Sequence, residues 1–265
     1  MSLKQFAKPA VIRLSQFLGL KQSESSLTQA SGQYWSSSSD ARFRTNSHWR
    51  GDDAISGDTW SAIGRRHVEL FKKFAHFASL SEKPQRIIDW GCGGGANAVA
   101  FAPDAEQVVG VDVAQASLDE CSKQMSGAGF GDRFTPVLAD INEPEAAANK
   151  IMTGVGPFDL FLCVYVFELI PGPGYAERIL RIAADVLAPG GSAMIQFKYA
   201  TQDWHSRPRR WAYKLNLANT TKFEIEAFWK LAASTGFIPQ AVTLLPEDSL
   251  VGDERYAYMM LTKPN

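Results

Sequence analysis

The sequence is poor in the features that mark disulfide-stapled or metal-bound proteins. Its 265 residues include three cysteines, Cys92, Cys121 and Cys163, which lie far apart and form no CxxC pair. This number and spacing argue against a disulfide framework, and no Cys/His cluster has the spacing of a zinc site. We therefore expect no metal and a reducing, cytoplasmic setting.

Long apolar runs are also missing. The longest, residues 158–171, is interrupted by Asp159 and Glu168 and falls short of the roughly 18 residues of a membrane span. Residues 1–20 are basic and amphipathic but lack the unbroken apolar core of a signal peptide. We expect no membrane partner, and we expect this first segment to pack on something, with a homodimer through the N-terminal segment as one candidate.

The chain has almost no net charge, but its charges are unevenly distributed. The formal sum is −1. Residues 1–88 carry 13 Lys/Arg and 7 Asp/Glu, a net charge of +6, whereas residues 89–265 carry 14 and 21, a net charge of −7. A total so close to zero gives no signal for a polyanion, so nucleic acid is not the expected partner.

Short β-type runs begin to alternate with helical stretches at residue 85. Before that point, residues 22–39 are rich in Ser and Gln and are interpreted as a linker or a loop ordered by contacts, and residues 59–79 have helical apolar spacing. Strands are predicted at 86–90, 108–113, 137–140, 158–164, 192–199, 238–245 and 256–262. A capping box at Thr221–Glu224 predicts the start of the last helix, and Gly236 its end.

This alternation predicts an α/β fold. Near-continuous apolar strands separated by helices indicate a parallel sheet covered on both faces. The last two strands have no helix between them and predict an antiparallel hairpin. We expect a seven-stranded mixed sheet with helices on both faces in a domain over residues 85–265, preceded by a helical N-terminal cap over residues 1–84.

A glycine-rich turn directly follows the first predicted strand. Asp89 is followed by glycines at 91, 93 and 95, which allow a tight turn and let a ligand approach backbone N–H groups. Two more acids, Asp112 and Asp140, end the next two strands, at the edge where open α/β sheets bind ligands. There Asp112 can accept two ribose hydroxyls, and Asp140 can reach an adenine edge. A single strand-end Asp is more often a helix N-cap than a ligand, but three acids at three successive strand ends after a glycine turn together indicate a ligand site.

These motifs, with two more along the chain, resemble the class I S-adenosylmethionine-dependent methyltransferases over about residues 85–263. The further motifs are the fourth strand leading into VYVFELIP and the Leu187–Gly191 turn, LAPGG. The resemblance implies a Rossmann-like fold, S-adenosylmethionine as cofactor, S-adenosylhomocysteine as product, and no metal. The early third glycine, the Pro-Gly-Gly turn and the two-strand finish argue against a dehydrogenase. Leu169 stands where many relatives have His, which removes a possible base.

The resemblance also implies cofactor-binding residues. They are Asp89, Gly91, Cys92 and Gly93 at the methionine part, Asp112 at the ribose, Val113 against the adenine, Asp140 and Ile141 at the adenine edge, and Cys163, whose backbone carbonyl would face the amino group.

The sequence gives less information about the residues that would contact the methyl acceptor. Aromatic and basic residues are concentrated in residues 33–50 and 203–214, and we expect both stretches to contact the acceptor. The candidate substrate residues are Tyr34, Trp35, His48, Arg209 and Arg210, with core packing or solvated faces as the alternatives. The candidate catalytic residues are His205 and Glu168 as bases and Tyr165 as a positioning group, with His48 as a further candidate base.

Three functions remain open from the sequence. The first is methyl transfer to a small molecule or glycan, on oxygen or nitrogen. The second is an RNA methyltransferase acting on tRNA or rRNA. The third is a non-catalytic nucleotide-binding module of the same fold. An intact glycine turn with three strand-end acids argues against the third, and the lack of a strongly basic surface argues against the second.

Overall fold

One seven-stranded sheet organises the protein. The computed structural model describes residues 11, 13–15, 18–37, 40 and 42–265. Much of the predicted amphipathic N-terminal segment, including Phe6, Ile12 and Phe17, lies outside the described residues, and the homodimer remains a prediction. Within the described ranges, no helix is long and apolar enough to cross a bilayer.

The sheet is mixed, as the sequence predicted. Its strands are β1 Arg86–Trp90, β2 Gln107–Asp112, β3 Phe134–Leu138, β4 Phe158–Cys163, β5 Leu187–Lys198, β6 Ile238–Asp248 and β7 Asp253–Thr262. Their order is β3-β2-β1-β4-β5-β7-β6. The strands from β3 to β5 are paired in parallel, and β7 runs antiparallel to both β5 and β6. The late hairpin is therefore confirmed, with β7 inserted between β5 and β6.

Helices cover both faces of this sheet. They are α1 Glu24–Ser36, α2 Phe43–Asn46, α3 Gly57–Phe77, α4 Ala96–Phe101, α5 Gln115–Gly127, α6 Pro144–Gly154, α7 Pro173–Val186 and α8 Ile225–Ser234. One apolar core contains side chains of α6, α7 and α8, and the other contains those of α3, α4 and α5. The two-faced architecture is confirmed.

Helix α3 packs closely on the sheet layer, although the sequence placed it in the N-terminal cap. A Cβ at Gly64 would lie 2.3 Å from the Ala96 carbonyl oxygen, so this approach to α4 requires glycine. Ile63 and Phe71 of α3 share a core with strand residues such as Ile87. The domain boundary at residue 84 remains a prediction, and this helix lies before it.

The Ser/Gln-rich stretch is a helix, so its interpretation as a linker or loop was wrong. The Ser23 side chain accepts a hydrogen bond from the Ser26 N–H at 3.1 Å and caps α1. The buried side chains of α1 are Leu27, Ser31, Tyr34 and Trp35, spaced as one helical face. Two of these four are polar or amphipathic, which hid the helical pattern.

The predicted capping box was also wrong. Helix α8 starts at Ile225, and its N-cap residue Glu224 makes no side-chain capping bond. Thr221 is buried, and its hydroxyl donates to the Ile170 carbonyl at 2.7 Å. A tertiary contact thus takes the hydroxyl that a capping box would use. The end of this helix is as predicted, with Gly236 at φ +96° just beyond it.

Candidate active site

A pocket opens beyond the carboxyl ends of β1, β2 and β4, where ligands bind in open α/β sheets. It holds about 930 Å³ of empty space. Its wall consists of the glycine turn, the end of β2, the segment after β4, and residues from the N-terminal region. We call this the main pocket.

The glycine turn is fixed by its neighbouring strand. The N–H groups of Gly91 and Cys92 donate to the Val111 carbonyl at 2.7 and 3.0 Å. Gly93 has φ +50°, in the left-handed region that favours glycine. Its N–H donates to Asp112 Oδ2 at 3.0 Å, so the turn and the end of β2 form one unit.

Asp112 keeps acceptor capacity toward the pocket. Its other oxygen, Oδ1, accepts from the Ala114 N–H at 2.9 Å. Each carboxylate oxygen has a further lone pair, so the group can accept two more hydrogens. Burial raises the pKa of Asp112 to about 6, against the hydrogen bonds from Ala114 and Gly93, which lower it. The group is therefore mainly charged at neutral pH.

Asp89 lies beneath the turn as a buried acid with a free oxygen. It is 1 % exposed, and its Oδ2 atom has no hydrogen-bond partner. Burial raises the pKa of Asp89 to about 7, and the charge of Asp112 raises it further. Hydrogen bonds from the Ala98 backbone and the Asn97 side chain act in the opposite direction. A buried carboxylate with one free oxygen can still receive a cationic group.

A cover segment, residues 43–49, closes over the glycine turn. The Gly94 N–H donates to the Ser47 carbonyl at 2.7 Å. A Cβ at Gly93 would lie 2.4 Å from that same oxygen, and one at Gly94 would lie 2.5 Å from the His48 carbonyl oxygen. The absence of a side chain at Gly93 and Gly94 therefore allows the backbone of the cover segment, as well as a ligand, to approach the turn.

The cover segment brings His48 to the main pocket. His48 has φ +53°, and its carbonyl accepts from Trp60 Nε1 at 3.0 Å. Its ring lies 4.6 Å from the ring of Tyr165, centroid to centroid. Burial lowers the pKa of His48 to about 4, so the imidazole is neutral at physiological pH.

Tyr165 is held by two residues that the sequence analysis missed. Its hydroxyl donates to Asp248 Oδ2 at 2.9 Å and accepts from Arg66 Nη2. Arg66 also donates to both oxygens of Asp248, at 2.7 Å each. No pattern in the sequence links residue 66 of α3 to residue 248 at the end of β6, so only the fold could reveal this cluster.

A second missed group lies under the pocket. His67 is fully buried, its Nδ1 lies 2.7 Å from Asn97 Oδ1, and its Nε2 lies 3.2 Å from the Tyr258 hydroxyl. Since burial lowers the pKa of His67 to about 3, the ring is neutral. It then donates from Nδ1 and accepts at Nε2. This orients Asn97, which lines the main pocket.

A second pocket adjoins the main one. It holds about 950 Å³ of empty space and shares Asn46, His48, Tyr165 and Leu169 with the main pocket. Glu168 lines it, is 2 % exposed, and has an Oε2 atom with no hydrogen-bond partner. Burial raises the pKa of Glu168 to about 7. A carboxyl with this pKa exchanges its proton readily near neutrality.

The structure brings most of the expected site residues together. Those lining the main pocket are Trp35, Gly91, Cys92, Gly93, Asp112, Val113, Ile141, His48 and Tyr165. Asp89 in β1 and Cys163 at the end of β4 are buried, and both lie outside the lining. Asp140 is exposed and accepts from the Asn142 backbone and side chain, so it forms a local turn. Tyr34 lies in a separate groove, where its hydroxyl accepts from Asn46 Nδ2 at 2.6 Å.

Residues 203–214 line neither of these two pockets. His205 is exposed, lies 2.9 Å from Asp203 Oδ1, and stacks on Trp204. The stretch instead folds toward the N-terminal region, where the Arg210 carbonyl accepts from the Gln22 N–H at 2.8 Å. Leu217 and Ala218, a little later in the chain, reach the second pocket. The structure thus gives His205, Arg209 and Arg210 no place in either pocket wall.

Metal ligands are absent from the part of the chain that the structure describes. No group of three or more His, Cys, Asp or Glu side chains in those ranges is arranged to hold an ion. The three cysteines are buried free thiols.

Comparison with known proteins gives these features a family. Residues 87–191 match the family of the methyltransferase domain. An rRNA N(6)-adenosine-methyltransferase of Caenorhabditis elegans is 30 % identical over 122 residues, covering 45 % of this chain and 55 % of that protein. A ubiquinone biosynthesis O-methyltransferase of Stutzerimonas stutzeri is 28 % identical over 112 residues, covering 42 % of this chain and 44 % of that one. The chain thus spans about half the length of these curated relatives.

Solved structures show the same fold. The magnesium protoporphyrin IX methyltransferase of Synechocystis PCC 6803 with bound SAH aligns with a TM-score of 0.60 at 14 % identity, covering 89 % of this chain and 99 % of that one. The matched residues 87–191 include the glycine turn, the strand-end acids and the Pro-Gly-Gly turn. Residues 87–191 thus match a methyltransferase domain, and the described chain has the fold of the methyltransferase structure with which it aligns.

Proposed function

We propose that this protein transfers a methyl group from S-adenosylmethionine to oxygen or nitrogen of a small molecule or glycan. The observation that carries the proposal is Asp112 in the wall of the main pocket, with Asp89 buried directly before the glycine turn. One acid has a buried free oxygen, and the other keeps free lone pairs beside a glycine turn. A positive group and two hydroxyls satisfy this pair, and S-adenosylmethionine offers an ammonium group and a ribose.

The residues present fit that cofactor. Asp89 would face the ammonium group, Asp112 would accept the ribose hydroxyls, and Val113 and Ile141 would pack against the adenine. When bound, S-adenosylmethionine supplies an electrophilic methyl group on a positively charged sulfur.

The second pocket supplies the acceptor side of the proposal. His48 and Tyr165 line both pockets, so an acceptor in the second pocket meets the main one between these rings. Glu168 would accept the proton of an acceptor hydroxyl, because its free oxygen and its pKa of about 7 suit a general base at neutral pH. His48 and the cover segment would exclude water from the nucleophile.

Calorimetry with S-adenosylhomocysteine tests cofactor binding. We expect binding in the micromolar range for the unaltered protein and at least about tenfold weaker binding for Asp112→Ala, since charge-assisted hydrogen bonds contribute about 1.5–3 kcal/mol each. The matched control is Asp119→Ala, an exposed acid on α5 that accepts a hydrogen bond from Gln115. Equal affinity in Asp112→Ala, or tighter binding of NAD than of S-adenosylmethionine, would overturn the proposal.

A panel of acceptors with methyl-labelled S-adenosylmethionine tests the reaction. It contains hydroxylated and amino small molecules, glycans, and tRNA and rRNA. The similarity to an rRNA methyltransferase favours RNA as the second candidate. Label transfer to RNA alone would establish that candidate, and cofactor binding without any transfer would favour a non-catalytic module. The buried free thiols support a reducing compartment such as the cytoplasm.

A further inference from the structure

Four basic residues converge where β5, β7 and the stretch after residue 207 meet, outside both pocket walls. The backbone fixes this convergence. The Phe223 N–H donates to the Lys198 carbonyl at 3.1 Å, and the Tyr199 N–H donates to the Arg255 carbonyl at 2.8 Å. The Arg209 N–H donates to the Asn219 carbonyl at 2.8 Å, which brings residue 209 alongside. The basic cluster consists of Lys198, Arg209, Lys222 and Arg255.

Only half of this positive charge is paired. Lys198 bonds to Asp253 at 2.5 Å, and Arg255 pairs with Glu254. Arg209 Nε is buried with no hydrogen-bond partner. Lys222 has no hydrogen bond or ion pair with any side chain of the described ranges. Lys222 and Arg209 therefore have no hydrogen-bonded acid, although Asp253 acts on Lys222 and Glu254 on Arg209 from a distance. Four basic residues against two acids leave an excess of positive charge.

Lys222 is the strongest anomaly in the cluster. It is 4 % exposed, and a buried ammonium without a partner is strongly unfavourable. Burial lowers the pKa of Lys222 to about 7, and the charges of Lys198, Arg209 and Arg255 lower it further. The three neighbouring cations are thus close enough to act on it, and the cluster is electrostatically incomplete as it stands.

We propose that the basic cluster binds an oxyanion, as a phosphate or sulfate group, held by Lys222 and Arg209. The excess of basic residues in the cluster matches such a group, and a bound anion would favour the protonated form of Lys222. The guanidinium of Arg209 presents a planar fork of donors to the oxygens of the anion. The Lys198–Asp253 pair separates the cluster from the second pocket, since Asp253 lines that pocket. The anion is therefore either a free ion or a charged group on a molecule that reaches past this pair. The site does not depend on the reaction catalysed and is tested by binding alone.

Thermal unfolding with sodium sulfate at constant ionic strength tests the site. We expect the unfolding midpoint of the unaltered protein to rise with sulfate, as it does for any ligand that binds the folded state. Lys222→Met should fold without sulfate at least as stably as the parent, because it removes an unpaired buried charge. Its sulfate affinity should fall at least about fivefold. Lys230→Met, which changes an exposed lysine paired with Glu226, should keep the full response.

Arg209→Met is the second variant, and it keeps the test decisive if Lys222→Met folds poorly. It should weaken sulfate binding by a similar factor. A parent protein whose midpoint ignores sulfate, or variants that respond as the parent does, would overturn the proposal.

A matched pair of sugars identifies the source of the anion. Calorimetry compares N-acetylglucosamine with N-acetylglucosamine 6-sulfate on the parent and on Lys222→Met. Tighter binding of the sulfated sugar, lost in the variant, assigns the site to a charged group of a larger ligand. A response to sulfate alone assigns it to a free ion. Neither outcome depends on methyl transfer. Failure of anion binding and failure of the proposed reaction can therefore be told apart.

Discussion

At the scale of the residue, three buried acids of this protein share one electrostatic property. Asp89, Asp112 and Glu168 all have raised pKa values, and burial is the largest cause in each case. Each raised pKa means that the charged form is disfavoured in the folded chain. A ligand that needs the charged form must therefore overcome that preference, and its binding becomes linked to pH.

Asp89→Asn should stabilise the protein at high pH. The folded-state pKa of Asp89 is about 7, against an ordinary value of 3.8 for aspartate. Its contribution to stability is full below about pH 4 and is lost as pH rises to about 7, because the unfolded chain releases the proton first. The neutral amide escapes that loss, so urea unfolding at pH 8 should show a gain of up to about 4 kcal/mol over the parent. This gain should shrink at pH 5.

The same substitution should weaken cofactor binding. An amide cannot match a carboxylate against an ammonium group, so the affinity for S-adenosylhomocysteine should fall as stability rises. Asp119→Asn, on the exposed side of α5, should change neither quantity. A variant that lost stability at pH 8 would contradict the assignment of Asp89 as an unpaired buried acid.

Glu168→Gln should lower turnover and flatten its pH profile. Between pH 6 and 8 the parent rate should rise as Glu168 loses its proton, since its pKa is about 7. Lys198 and Asp253 act on this group in opposite directions. A general base contributes roughly 10²–10⁴-fold, so a comparable loss is expected. His205→Ala should stay within about twofold, because its ring is exposed and outside both pockets.

An unchanged pH profile in Glu168→Gln would exclude this glutamate as the base, whatever the loss in rate. His48 would then be the next candidate. Its pKa of about 4 predicts no titration limb near neutrality.

At the scale of elements, one tyrosine joins the N-terminal helix to the methyltransferase domain. The Tyr213 hydroxyl donates to the Leu169 carbonyl at 2.7 Å and accepts from Ser31 Oγ and Trp35 Nε1, both at 2.9 Å. Leu169 and Trp35 line the main pocket, so the contact fixes α1 against it.

Tyr213→Phe should loosen α1 and weaken the site together. Three buried polar groups would lose their common partner, at a cost of about 2–4 kcal/mol in unfolding free energy. Limited proteolysis should then cut within or next to α1 sooner than in the parent, and S-adenosylhomocysteine should bind more weakly. The control is Tyr199→Phe, whose hydroxyl makes no hydrogen bond within the described ranges. Equal protection of α1 in both variants would show that other contacts hold the helix.

The sequence predicted the elements whose burial is uniform and missed those whose partners lie far away. β1 and β4 are apolar and central, and their bounds were found to within a residue. β3 lies at the sheet edge with mostly exposed side chains, so its predicted run began three residues late. α1 uses Ser31 and Tyr34 on its buried face, which no apolar pattern reveals.

The same distinction separates the site residues that the sequence predicted from those that it missed. The glycine turn and Asp112 were found because consecutive residues carry their chemistry. Asp140 was assigned by position after β3, but it bonds to its neighbour Asn142. Arg66 and Asp248 were missed because their role depends on a contact between residues that lie 182 positions apart in the sequence.

At the scale of the whole molecule, that contact links three distant segments. Arg66 comes from α3, Tyr165 follows β4, and Asp248 ends β6. Asp248 is fully buried, whereas the Arg66 side chain is 26 % exposed.

Asp248→Asn should destabilise the protein by about 2–4 kcal/mol, because it leaves a largely buried guanidinium without its counter-charge. Urea unfolding measures the loss. Asp53→Asn breaks the exposed pair with Arg44 and should cost at most about 1 kcal/mol. Similar losses in the two variants would show that the buried contact contributes no more than a surface ion pair.

The insertion of β7 between β5 and β6 also determines how late in synthesis the second pocket can form. The second pocket draws on residues 45–59 from the N-terminal region and on Asp253 and Tyr256 at the start of β7. Domains fold as the chain emerges, and β5 remains a sheet edge until β7 pairs with it. A ribosome stalled before residue 253 therefore displays a glycine turn and its acids on a nascent chain whose second pocket does not yet exist.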